Sequence, residues 1–261
     1  VAKYYNGRYF ARAVSDDGTL IGSPAASECK IDLLTQAYAA ISGIAPREQC
    51  ISALLSAEQA LVDKENKLIK LFHPPFEQSE NIGYICDYPP GIRENGGQYT
   101  HAAIWFIIAL YKTGQKDKAY EYLYMLSGIN HCKNSADAAI YKVEPYVLSA
   151  DVYSGDNAGR AGWTWYTGAA SWYYVAIVRY LFGITFKNGV ITVDPALPDK
   201  TERACINIRF NGSTITVDVD NSVKTGEWHF VFNGVEYNTN SLDLREISRD
   251  KTIVLKRCPD C

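Results

Sequence analysis

A mainly helical domain followed by an antiparallel β domain is the fold class this sequence predicts, with the change at residues 183–184. Three observations predict it. Apolar residues recur at helical spacing through the first two-thirds of the chain. After Gly183 they alternate with period two. Long Pro- and Gly-containing loops separate the helical runs, the pattern of an α/α toroid whose inner helices present loops at one end. The chain has 261 residues, enough for one large or two ordinary domains with real cores.

In chain order, Ser27-Glu28 is expected to cap a helix carrying Ile31, Leu34, Ala37, Tyr38 and Ile41, which Gly43 stops. Pro46 opens a second helix with Cys50, Ile51, Leu54, Leu55 and Leu61. Pro74-Pro75 and Pro89-Pro90-Gly91 forbid regular structure in the loop from Phe72 to Gln98. Helices are expected at about 99–113, 117–126 and 169–181, with a loop over 128–162. Strands follow at 189–195, 204–210 and 214–219, then around Trp228, Val235 and Thr252 to Leu255. Asn211-Gly212 and Asn233-Gly234 are hairpin signals. Asn211-Gly212-Ser213 also matches a glycosylation sequon, which the turn explains more simply.

Composition narrows the function. Net charge is −3, which gives no electrostatic case for nucleic acid. No apolar run is long enough to span a bilayer, and no signal peptide opens the chain. Seven scattered cysteines make a poor disulfide framework, and they read as mostly buried thiols of a reducing, cytoplasmic compartment. Cys258-Pro259-Asp260-Cys261 has half a zinc knuckle's spacing without a second pair, so no metal site is expected. Aromatic residues make up 13% of the chain, which leans toward carbohydrate because flat rings cover pyranose faces. A Tyr-rich helical core explains the same count. The first residues, Val1 to Phe10, read like the middle of a domain, as expected of part of a longer protein.

The densest chemistry lies in Arg93-Glu94-Asn95-Gly96-Gly97-Gln98-Tyr99-Thr100-His101, directly before an apolar helical run. Polar groups at the mouth of a buried helix suit an oxygen-rich, anionic ligand. Gly162-Trp163-Thr164-Trp165-Tyr166-Thr167-Gly168 has the same character. Together they predict a sugar pocket with an anion subsite.

Several long strings resemble the cellobiose phosphorylase family of inverting glycoside phosphorylases, in that family's order. They are Tyr5 through Ala13 with Asp16-Asp17-Gly18-Thr19, Gly22-Ser23, Glu28 to Asp32 with Gln36, Pro89 through His101, Glu144-Pro145-Tyr146-Val147, and Trp163 to Gly168. The similarity covers essentially the whole chain and leans to the β-1,2-oligoglucan phosphorylase and cyclic β-1,2-glucan synthase branch. It implies part of an (α/α)6 barrel over residues 1–183 and a C-terminal antiparallel β-sandwich domain over 184–261.

The resemblance implies an activity too: reversible phosphorolysis of a β-linked gluco-oligosaccharide to a sugar 1-phosphate with inversion. Inorganic phosphate is the co-substrate, and no cofactor or metal is implied. His101, Thr167 and Gly168 fall at the phosphate. Arg93 and Glu94, with Gln36 and Trp165, fall at the sugar. The general acid of the family, an Asp in an Asp-Trp-Asn-Asp-type motif, has no counterpart in this sequence. The N-terminal remainder of the same protein is therefore the expected partner, and pairing with a second copy stays open. Two alternatives stand beside this reading: an α/α-toroid hydrolase using Glu94 or Asp151 as acid, and a non-catalytic carbohydrate-binding remnant. Asp16 and Asp17 sit in a turn with Gly18 and are not promoted to catalysis.

Overall fold

The computed structural model describes residues 2–79, 82–210, 212–232, 234–243, 245 and 251–258. Two compact units emerge, Val1–Tyr174 and Val175–Cys261, the first helical and the second mostly β. No helix among the described residues is long and apolar enough to cross a membrane.

The first unit opens with the short ladder of β1 (Ala13–Val14) and β2 (Leu20–Ile21), then β3 (Ile31–Asp32). Helix α1 spans Leu33–Ile41 and α2 spans Arg47–Leu61. The expected cap of α1 is corrected. Asp32 caps it, its carboxylate accepting the Thr35 amide at 3.0 Å. Glu28 instead accepts the amides of Glu77, Gln78 and Ser79 at 2.8–3.0 Å, pinning the proline-rich loop. Strands β4 (Val62–Asp63) and β5 (Leu68–Ile69) form a hairpin, and β6 (Phe72–His73) pairs with β3.

Strand β7 (Gln98–Tyr99) leads straight into α3 (Thr100–Lys112). Helix α3 is buried on nearly every side, from Ala102 and Ala103 to Leu110, as its uniformly apolar sequence requires. It packs against α1 and against α4 (Lys116–Met125). The expected loop over 128–162 holds two short helices, α5 (Gly128–His131) and α6 (Ser135–Tyr141), and strand β8 (Asp151–Val152). Ser127 and Asn134 cap those helices, in turns too short to show periodicity. Helix α7 (Ala169–Val175) continues as a π-helical turn, Ala176–Leu181.

His131 is 4% exposed and stacks on Tyr141, with ring centroids 4.3 Å apart. Its Nε2 has no hydrogen-bond partner among the described residues, and His131 lines a cavity of about 50 Å³ with Glu65, Lys67 and Asp137. Burial, then the Lys67 charge, push its pKa down to about 4 from the ordinary value of 6.5, while Asp137 opposes them. Between those values the unfolded chain takes up a proton that the folded protein refuses. Stability is therefore lost as pH falls from 6.5 toward 4, by roughly 3 kcal/mol at most. Thermal melts of the intact protein across that window should fall less steeply for His131→Phe than for wild type. Parallel curves would clear His131 of this role.

The second unit carries β9 (Ile184–Lys187), β10 (Val190–Val193), β11 (Arg203–Phe210), β12 (Ser213–Asp220), β13 (Glu227–Phe232), β14 (Val235–Tyr237), β15 (Ser241–Asp243) and β16 (Lys251–Cys258). They form two sheets, ordered β15-β10-β9 and β11-β12-β16-β13-β14. Ile215, Val217 and Val219, with Phe230, Phe232, Ile253 and Leu255, alternate to the buried face. The all-antiparallel expectation is corrected at one place: β12 and β16 run parallel, Val217 beside Ile253. Neighbours joined by hairpins must be antiparallel, but β16 returns to β12 only after β13, β14 and β15. The hairpin ladders end on Phe210↔Ser213 and Phe232↔Val235, leaving two residues between each pair. Asn211 and Asn233 lie outside the described residues, as do Pro259, Asp260 and Cys261.

The thiols are less buried than expected. Cys29 and Cys50 are buried, Cys132 is intermediate, and Cys86 and Cys205 are exposed.

Candidate active site

The loop before α3 is tied from within. Gly91 N–H donates to the Asn95 carbonyl at 2.7 Å, and Asn95 N–H to the Ile92 carbonyl at 3.0 Å. Asn95 is 0% exposed and serves as the brace. Its Oδ1 accepts the Phe76 amide, and its Nδ2 donates to the carbonyls of Phe76 and Tyr88, all at 2.8–2.9 Å. Gln98, also buried, accepts the Ile69 amide and donates to Thr100 Oγ1. Asn95 and Gln98 thus hold the loop, and the half-buried side chains of Arg93 and Glu94 take no part in that bracing. Arg93 sits in the left-handed backbone region at φ 49°, as does Trp165 at φ 62°. Such conformations are sparsely populated for non-glycine residues and cluster at ligand-binding loops.

Arg93 and Glu94 adjoin a buried carboxylate. Arg93 Nε lies 3.6 Å from Glu94 Oε2, too long for a hydrogen bond. The guanidinium stands over the rings of Trp163 at 5.2 Å and Tyr88 at 5.5 Å. The Trp163 amide donates to Asp151 Oδ1 at 2.9 Å. Asp151, 2% exposed, is placed by its pairing with Tyr99 in the β7–β8 ladder. Burial, chiefly, raises the Asp151 pKa; the Trp163 amide and Arg93 pull it down, and Glu94 adds to the rise. Spacing in the sequence does not bring Asp151 to this loop; the β7–β8 pairing does.

His101 stands in the first turn of α3, among Tyr99, Trp105 and Trp172, with ring centroids 4.7–6.3 Å away. Burial lowers its pKa from 6.5, so the imidazole is neutral at pH 7. A Cβ added at Gly168 would lie 3.2 Å from His101 Cε1, so the Gly168 backbone abuts the imidazole edge. Thr167 precedes Gly168, and its Oγ1 accepts the Ala169 amide at 3.1 Å. His101 and Gly168 therefore meet, with Thr167 next in chain. Of the boxing rings, Trp105 follows from its i, i+4 spacing to His101 on one helix face, a signal that buried aromatic stripes share, whereas Trp172 is brought from α7 by the fold.

Gln36 and Trp165, both expected at the sugar, have opposite surroundings. Gln36 is 0% exposed; its amide donates to the carbonyls of Phe10 and Asp32 and accepts the Phe10 N–H, each at 2.9 Å. The expectation of Gln36 at the sugar is corrected: it ties the N-terminal segment to α1, and its polar atoms are turned to backbone. Trp165 is 71% exposed, 6.2 Å from Tyr146, with its indole N–H directed at Glu144. It belongs to an exposed aromatic ridge with Trp163 and Tyr166.

With that geometry in place, comparison with known proteins decides the family. Residues 2–183 match the model of the glycosyl hydrolase 94 superfamily catalytic domain. The chain belongs to this superfamily. Residues 184–225 match the C-terminal domain of glycosyl hydrolase family 65. Among curated proteins, the glycosyl hydrolase 94 chain is 40% identical over 225 residues to the cyclic beta-(1,2)-glucan synthase NdvB of Rhizobium meliloti, covering 85% of the chain and 8% of that protein. It is 30% identical to a cellobionic acid phosphorylase of Neurospora crassa, covering 82% of the chain and 27% of the relative. It is 27% identical to a 1,2-beta-oligoglucan phosphorylase of Listeria innocua, covering 64% and 16%. The chain thus spans less than a third of each of these relatives.

Proposed function

We propose that this chain supplies the phosphate subsite and part of the sugar subsite of an inverting glycoside phosphorylase acting on β-linked gluco-oligosaccharides. The observation that carries the reading is the meeting of His101 with the Gly168 backbone, in the same unit as the half-buried Arg93 and Glu94. The neutral imidazole donates one N–H to a phosphate oxygen. The Thr167 hydroxyl and the Gly168 amide complete the cradle, and a side chain at 168 would fill the space. Arg93 and Glu94 hold sugar hydroxyls, and Trp165 covers a pyranose face.

Phosphate held there attacks the anomeric carbon from one side of the ring, while an acid on the opposite side protonates the leaving oxygen. This is the geometry of inverting glycosidases with phosphate in place of water. Phosphate is already anionic, so the step needs no strong base. The acid comes from polypeptide beyond this sequence, which holds no Asp-Trp-Asn-Asp motif. Residues 1–183 form part of an (α/α)6 barrel, and 184–261 form the accompanying β-sandwich domain. The names of the NdvB and Listeria relatives favour β-1,2-linked glucans as the substrate class.

The test is phosphate dependence. The intact protein containing this chain, given β-1,2-gluco-oligosaccharide, should release a sugar 1-phosphate in proportion to added phosphate until saturation. Cleavage that proceeds equally well without phosphate would overturn the reading.

A further inference from the structure

Arg93 Nε, Glu94 Oε2 and Asp151 Oδ2 are all buried and have no hydrogen-bond partner among the described residues, the first two facing each other as an ion pair at 3.6 Å and Asp151 Oδ2 lacking even that. They are neighbours. Arg93 lies over the Trp163 ring, whose backbone amide Asp151 holds, and Glu94 adjoins Arg93. Buried polar atoms are almost always hydrogen-bonded, so three in one place that are not mark a ligand's position.

Their chemistry narrows the ligand. One N–H donor and two carboxylate oxygens stand open. A phosphate offers mostly acceptors, and its charge is repelled by both carboxylates. An ammonium group offers donors alone and leaves Arg93 unmatched. Two adjacent hydroxyls fit all three, because each donates its O–H to one carboxylate and one of them accepts the Arg93 N–H through a lone pair.

Asp151 cannot turn away from this role. Its Oδ1 is held by the Trp163 amide, and both oxygens press on Gly162, where an added Cβ would fall 2.7–2.8 Å from them. Strand pairing with Tyr99 fixes its backbone. Arg93 and Glu94, whose side chains are 30% and 19% exposed, form the cover on the solvent side.

We propose that Asp151 is a third sugar-contacting residue, its Oδ2 accepting a hydroxyl of the same vicinal diol that Arg93 and Glu94 engage. This rests on the reading of Arg93 and Glu94 as sugar contacts. Arg93 and Glu94 part on binding and admit the diol, and the Trp163 ring keeps the guanidinium aligned. Asp151 thereby makes the site selective for one hydroxyl pair of the ring.

Asp151→Asn is the informative variant in the intact protein. It retains Oδ1 for the Trp163 amide and nearly the same volume, but puts an N–H donor where Oδ2 accepted. Calorimetry would use a β-1,2-linked glucose disaccharide and its monodeoxy analogues, with inorganic phosphate and thermal melting measured alongside. The expected result is a disaccharide affinity lower by about 10- to 100-fold, with phosphate affinity and melting temperature close to wild type. One monodeoxy analogue, weak on wild type, should bind Asp151→Asn as well as the parent disaccharide does. If every deoxy penalty survives in Asp151→Asn, Asp151 touches no hydroxyl and the proposal falls. It falls equally if sugar affinity, phosphate affinity and stability drop together. Wild-type protein that binds no disaccharide would overturn the underlying sugar-site reading as well.

Discussion

Replacing His101 with alanine lowers phosphate-dependent sugar 1-phosphate release by about 10²- to 10³-fold in kcat/KM, the usual loss when one preorganised donor to a charged group is removed. His101 is the group that the Gly168 backbone approaches, and its ring is held between Tyr99, Trp105 and Trp172. Burial has lowered its pKa, so the unliganded imidazole is uncharged at pH 7 and presents a fixed N–H donor. Alanine removes that donor and loosens the ring box, so a second variant separates the two effects. His101→Asn keeps an N–H donor on a shorter side chain and should recover part of the activity. Initial rates against phosphate concentration, with oligosaccharide saturating, provide the check. Activity of His101→Ala within a few-fold of wild type would place phosphate elsewhere.

Gly91→Ala should destabilise the intact protein by about 2–4 kcal/mol and disable sugar binding, because strain and steric clash add at one position. Gly91 has φ +82°, and an added Cβ would stand 2.6 Å from the Ser154 carbonyl oxygen and 2.9 Å from its carbon. Moving Ser154 breaks its amide's bond to the Gly91 carbonyl and its hydroxyl's bond to the Gly96 carbonyl, both 2.9 Å. Those bonds anchor the loop that carries Arg93 and Glu94. Gly155→Ala is the control: φ is +66°, yet nothing lies within 4 Å of the added Cβ. It should cost only the backbone strain, about 1 kcal/mol. Equal losses of melting temperature in the two variants would show that the Ser154 contact contributes nothing.

Much of the helical unit is legible in the chain because its signals are local. Pro46 opens α2, Gly43 follows the end of α1, and the uniformly apolar run after His101 becomes a helix buried on nearly every side. Legibility fails where a residue's partner is distant in sequence. Glu28 looks like a helix cap but serves three amides some fifty positions away. Gln36 looks like a pocket amide but closes on Phe10, 26 positions back. Asp151 is one carboxylate among many until β7 and β8 pair. In the β unit, alternation locates most strands, but the parallel β12–β16 pair depends on how the chain returns after three intervening strands.

By itself the sequence determined the division into helical and β parts and the two polar strings that make up the candidate site, since periodicity, turn residues and motifs are properties of near neighbours. Only the tertiary structure decided which polar side chains are used up as braces and which stay open. Asn95 and Gln36 are satisfied by buried backbone. Arg93, Glu94 and Asp151 keep buried atoms with no hydrogen bond among the described residues. A side chain's hydrogen-bonding capacity is written in its identity, but whether that capacity is already filled depends on what folding brings within about 3 Å of it.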